Sequence, residues 1–139
     1  MRQVHEILSV QTRGRGLIEI TEAVKTFVRG SGLREGLLSV FCRHTSASLL
    51  IQENADPDVR LDLESFFARL VPDGQPGWRH DSEGPDDMSA HIRTALTQTS
   101  LSIPLIDGRL ALGTWQGVYL WEHRTQAQRR EVILHLLGE

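Results

Sequence analysis

The chain has 139 residues, 40% of them apolar and 24% charged, with a formal net charge of −3. These values exclude a disordered chain, and at this length about two-thirds of the unfolded surface can be buried, enough for one core without staples. A single cysteine, Cys42, excludes a disulfide framework and a zinc site of several cysteines, and a pI near 6.1 speaks against bulk nucleic-acid binding.

No stretch approaches the ~18–20 apolar residues that cross a bilayer, and Met1-Arg2-Gln3-Val4-His5-Glu6 lacks the apolar core of a secretory signal. The expectation is a cytoplasmic protein with neither membrane nor nucleic acid as partner. Gln3–Val10 and 16–20 read as strands across a Thr12-Arg13-Gly14-Arg15-Gly16 turn. Thr21 reads as a helix N-cap, followed by an apolar stripe of Ala23, Val24, Phe27 and Val28 that Gly30 and Gly32 stop. Leu37-Leu38-Ser39-Val40-Phe41-Cys42 is a near-continuous apolar run, the pattern of a strand buried on both faces, with Cys42 a buried structural thiol. Leu49-Leu50-Ile51 forms a further apolar run.

Asp56-Pro57 makes a helix start, and Val59, Leu61, Leu63, Phe66, Phe67 and Leu70 carry that helix to Pro72. A loop rich in Gly, Pro and Asp spans 72–86, and a third helix runs from about Asp87 to Thr97 with Ile92, Ala95 and Leu96 inward. Asp107-Gly108 joins Leu101–Ile106 to Leu110–Leu112 as a hairpin. Val118–Glu122 and Arg130–Leu137 complete the pattern: seven or eight strands and three helices, an α+β fold with a largely antiparallel sheet or sandwich.

Three segments put polar residues where a core has no use for them. His44-Thr45-Ser46-Ala47-Ser48, then Gln52-Glu53-Asn54, flanks apolar strands with one imidazole and three hydroxyls. Such groups reach solvent, satisfy one another in turns, or line a polar cavity that suits phosphate oxygens. The segment from His80 to His91 holds two imidazoles and four acidic residues, and Asp87 and His91 share one face of the third helix. That is either a divalent-metal constellation or an acidic helix start meeting the helix dipole. Gly113-Thr114-Trp115-Gln116-Gly117 permits a bulge or a close backbone approach, and leads to Trp121-Glu122-His123-Arg124. Glu122 continues an apolar face, so it needs a partner; Arg124, two positions on, is the candidate, and a structural ion pair is the plain alternative.

Together, in this order, these segments resemble the YjbQ family of small proteins, the secondary thiamine-phosphate synthase family. The residues that carry the resemblance are His44 to Leu49, Glu53-Asn54-Ala55-Asp56-Pro57, His80, Asp86-Asp87 with His91, Gly113 to Gly117, and Glu122-His123-Arg124. Thr125 departs from the pattern, which has Gly there. The resemblance covers the chain from about residue 5 and implies a single YjbQ-like domain over 1–139 that assembles as a homotrimer with sites near subunit contacts.

It also implies a modest thiamine-phosphate synthase activity: hydroxymethylpyrimidine diphosphate joins thiazole phosphate and diphosphate is released. On that reading His44, His80, Asp87, Glu122 and Arg124 are the catalytic candidates. Thr45, Ser46, Ser48, Glu53, Asn54, Trp115 and Gln116 would meet the small anionic phosphorylated substrates. A divalent metal, Mg²⁺ or Zn²⁺, would lie among His44, His80, His91 and Asp87. A non-catalytic trimeric protein that binds a metal or small ligand, and a metal-assisted phosphate-ester hydrolase, are the alternatives the same residues allow.

Overall fold

Eight strands and three helices make up the computed structural model, which describes all 139 residues. In chain order these are β1 (Arg2–Gln11), β2 (Gly16–Glu19), α1 (Thr21–Ser31), β3 (Gly36–Cys42), β4 (Ala47–Glu53) and α2 (Pro57–Leu70). They continue with α3 (Asp87–Leu96), β5 (Ser100–Ile106), β6 (Arg109–Leu110), β7 (Gln116–Glu122) and β8 (Arg129–Gly138). One sheet has the order β1-β8-β3-β5-β6 and the other β2-β7-β4, and every strand pair is antiparallel. The expected α+β fold is observed. No helix is long and apolar enough to cross a membrane.

Alternation along the strands builds the core. Leu38, Val40 and Cys42 of β3, Leu101, Ile103 and Leu105 of β5, and Val132, Leu134 and Leu136 of β8 face inward from the large sheet. They form one cluster with Ala47, Leu49, Val118 and Leu120 of the small sheet and with Val24 and Val28 of α1. The opposite face of the small sheet lies under α2 and α3: Phe67 packs edge-on to Trp121 with ring centroids 4.8 Å apart, and Arg60 lies over Tyr119. Two turns follow their sequence signals. Asp107 and Gly108 both have positive φ, 51° and 76°, as a two-residue type I′ hairpin requires. Asp56 accepts a hydrogen bond from the Asp58 N–H at 2.9 Å, with Pro57 in the first turn of α2.

Four local expectations are corrected. Thr21 begins α1 rather than capping it; its hydroxyl accepts from the Val118 N–H and donates to Glu19, both at 2.8 Å. β3 is buried on one face only, leaving Leu37 and Phe41 almost half exposed on the outer face of the large sheet. α2 buries none of its residues completely, and half of its apolar stripe, Leu61, Phe66 and Leu70, is exposed. In α3 the buried residues are Asp87, Ser89, Ala90, Arg93 and Thr94, whereas Ala95 and Leu96 are exposed. The helix is rotated from its apolar stripe because its acidic start is tethered to the end of β7.

Candidate functional site

That tether is the frame of the site. Arg124, just beyond β7, donates from Nε to Asp86 Oδ2 at 3.0 Å, from Nη1 to Asp87 Oδ1 at 2.8 Å and from Nη2 to the Glu83 carbonyl at 3.0 Å. The Thr125 N–H and hydroxyl donate to the same Asp86 oxygen at 2.9 and 3.0 Å. Burial would raise the Asp86 carboxyl, but these donors outweigh it and hold the group at about 2. Thr125 has no positive φ, so the position tolerates a β-branched residue where the family pattern has Gly.

The 72–86 loop turns back on itself at Gly74, Gly77 and Gly84, all with positive φ, and the Gly74 N–H donates to the Pro85 carbonyl. This path brings His80 onto the start of α3. His80 Nε2 lies 2.6 Å from Asp87 Oδ2 and 3.3 Å from Glu83 Oε2, and His91 Nε2 lies 3.2 Å from the same Asp87 oxygen. One ligand atom from each of His80, Glu83, Asp87 and His91 falls within 4.8 Å of the others. His91 Nδ1 sits 2.9 Å from the Thr45 carbonyl, which only a protonated Nδ1 can satisfy, so Nε2 is the ring nitrogen turned toward Asp87 and the one that a cation would take in exchange for its proton. The hydrogen bond from His80 to Asp87 raises the His80 pKa against the opposing effect of burial. Burial pushes Asp87 up, but His80 first and then Glu83, His91 and Arg124 bring it below the usual carboxylate range.

Two imidazoles and two carboxylates at a partly exposed edge fit a divalent cation, and imidazole favours a Zn²⁺-like ion over Mg²⁺. The other expected site residues are placed differently. His44 lies outside this group: its Nε2 accepts from the Glu131 N–H at 2.8 Å, and burial followed by Arg130 lowers its pKa. Ser46 Oγ accepts from Arg130 at 2.9 Å, and buried Ser48 is bonded to His123 Nε2 at 2.8 Å, so both hydroxyls serve the fold. Thr45 is exposed and meets the cluster through its carbonyl.

Glu122 is fully buried and pairs with Arg130, not with the Arg124 side chain; it also accepts from Thr12 at 2.8 Å and from the Arg124 N–H at 3.1 Å. The plain alternative, a structural ion pair, holds for it. Glu53, Asn54, Trp115 and Gln116 gather at the other end of the small sheet, because β4 and β7 pair from Ala47↔Glu122 to Glu53↔Gln116. There Asn54 donates to Glu19 at the end of β2 at 2.9 Å, and Gln116 accepts from the Gly113 N–H at 2.8 Å, closing its turn.

A family model described as UPF0047 protein YjbQ-like matches residues 6–139. A UPF0047 protein of Synechocystis sp. is 57% identical over 138 residues, covering 99% of this chain and 94% of that protein. The UPF0047 protein YjbQ of Escherichia coli O157:H7 is 45% identical over 134 residues, with 95% and 94% covered. The crystal structure of a YjbQ/UPF0047 protein from Clostridium acetobutylicum superposes with a TM-score of 0.87 at 36% identity, covering 95% of this chain and 99% of that one. The chain belongs to the YjbQ/UPF0047 family.

Membership in the YjbQ family assigns no reaction by itself, so the site rests on its own geometry. Sequence reasoning missed three of this YjbQ-family chain's anchoring residues. Glu83 stands three residues after His80 and four before Asp87, a spacing that could have included it. Arg130 occupies the inward register that Val132, Leu134 and Leu136 continue, and a cation there demands a buried carboxylate such as Glu122. Thr125 gave no signal beyond its departure from the pattern.

Proposed function

We propose that the chain holds a divalent cation between His80, Glu83, Asp87 and His91 and joins a hydroxymethylpyrimidine diphosphate to a thiazole phosphate. The reading is supported above all by the convergence of four ligand atoms from a loop and a helix within 4.8 Å, with His91 already oriented by the Thr45 carbonyl. In the reaction the thiazole nitrogen attacks the exocyclic methylene carbon. A C–N bond forms as the C–O bond to diphosphate breaks, and diphosphate leaves with the electron pair. No proton has to move, so the demand is for positioning and for neutralising the departing charge.

A bound cation supplies that neutralisation. His80 and Asp87 would hold it, and exposed Thr45, whose carbonyl meets His91, would offer its hydroxyl to a phosphate oxygen. Arg124 is a positioning residue, acting through Asp86 and Asp87. A second reading, a binding protein without catalysis, is favoured by one observation: Ser46, Ser48 and Arg124 already use their polar groups inside the fold. Turnover separates the two. Product formation from both substrates with Zn²⁺ or Mg²⁺, abolished by chelation, is expected; metal binding without product above the protein-free rate overturns the synthase reading.

A homotrimer belongs to the same proposal. Its support is the outer face of the large sheet, where Ile7, Leu37, Phe41 and Leu137 are each 43–50% exposed and Ile133 lies between Ile7 and Phe41 in register. These apolar rows, crossed by the polar row of His5, His135 and Ser39, support a contact surface between copies of the chain. Sedimentation should give three times the chain mass for the wild type and a single chain for Phe41→Glu; a monomeric wild type refutes the trimer.

A further inference from the structure

The chain has three tryptophans, and their places differ. Trp121 is 1% exposed, with its indole N–H donated to Glu64, so it has no face to offer. Trp115 is exposed at the Gln116 end of β7, six strand residues or roughly 20 Å from the Glu122 end where the histidine cluster lies. Trp78 is half-buried in the loop that also delivers His80. It lines a cavity of about 410 Å³ together with Pro85 and Met88, with His80 on the wall shared with the cluster and with Gln75 and Asp81 supplying polar edges. That volume suits a small organic ligand, and its mixed lining suits a flat ring bearing hydrogen-bonding substituents.

We propose that the cavity lined by Trp78 is the ring subsite: it receives a planar, amino-substituted heterocycle whose phosphate end reaches the His80–Glu83–Asp87–His91 group. The choice of an aminopyrimidine as that heterocycle rests on the function proposed above; the subsite itself rests on the shared His80 wall. Pro85 and Met88 offer apolar contact to the ring, and Gln75 and Asp81 offer hydrogen bonds at its rim. Trp115, expected from the sequence to meet the substrates, has no part in it within one chain.

The test is calorimetric titration, with Zn²⁺ present, of two probes: hydroxymethylpyrimidine diphosphate and inorganic diphosphate. Trp78→Leu should weaken the pyrimidine probe about tenfold, the size of a lost base–aromatic stack, while inorganic diphosphate binds as in the wild type. Trp78→Tyr should restore most of the loss, and Trp115→Leu should change neither probe. An equal loss for both probes, no loss for the pyrimidine, or a wild type that binds both probes alike overturns the subsite. The synthase reading fails separately: absence of product with the pyrimidine preference intact removes the reaction and leaves the ring subsite standing.

Discussion

Two layers of polar residues stand at the same end of the small sheet, and they differ in what their hydrogen-bonding groups are doing. In the inner layer Glu122 has both oxygens taken by Thr12, Arg130 and the Arg124 N–H, and Ser48 is closed on His123. In the outer layer His80, Glu83, Asp87 and His91 face one another across the gap, with both imidazoles partly open to solvent. The histidines report the difference. Burial, then Arg93, Arg15 and Arg130, push His123 down to about 3, so it stays neutral, whereas the bond to Asp87 raises His80. One ring records lost water and the other records a carboxylate. Polar residues of the same kinds thus hold the fold in one layer and keep ligand capacity in the next.

The largest effect should come from breaking the inner layer. Glu122→Ala leaves the Arg130 guanidinium, itself only 5% exposed, without a counter-charge, and should lower the unfolding free energy by about 3–5 kcal/mol in denaturant titration. A double variant with Met at both positions should recover most of that loss, since an apolar pair needs no counter-charge. A loss below about 1 kcal/mol in the single variant would show that the inner layer is not what holds this end of the sheet together.

The sequence disclosed turns and strands more readily than the site. Asp107-Gly108 and Asp56-Pro57 announce themselves because their backbone requirements are local, and both are found as expected. The site depends on which strand ends meet, and linear order is silent on that. The His44-to-Glu53 and Gln116-to-Arg124 segments run antiparallel, so their polar ends meet in two places and one expected pocket becomes two. His44 and His91 looked equivalent as imidazoles, yet one is held by the Glu131 N–H and the other by the Thr45 carbonyl. The inward face of α3 misled for a related reason. Periodicity assumes apolar residues turn inward, but the Arg124 bonds to Asp86 and Asp87 set the rotation, burying Arg93 and Thr94 and exposing Leu96.

A second measurement sharpens the contrast between the layers through their histidines. His80→Ala removes a ligand from the outer group and should weaken Zn²⁺ binding at least about a hundredfold by competition titration, with the unfolding midpoint nearly unchanged. His44→Ala should leave Zn²⁺ affinity within about threefold, because its ring faces β8. Protons compete with the ion for His80, and its raised pKa means that affinity should climb as pH rises through that value. Equal affinity losses in the two variants would merge the layers.

The smallest effect concerns Asp86, which joins the layers, and its sign follows from the direction of its shift. The folded carboxyl titrates at about 2 against an ordinary 3.8, because the Thr125 and Arg124 donors outweigh burial. A carboxyl depressed on folding contributes stability that is fully present above its unfolded pKa and is lost as pH falls through its folded one. The wild type should therefore lose about 2 kcal/mol from this group between roughly pH 5 and pH 2. Asp86→Asn should start lower by about that amount at pH 7 and show a flatter acid limb, so the two stability curves converge near pH 2. Curves that stay parallel down to pH 2 would mean that the loss lies in the start of α3 rather than in the charge. Arg124 would then hold the helix by shape alone, and Asp87 would owe its orientation to the histidines.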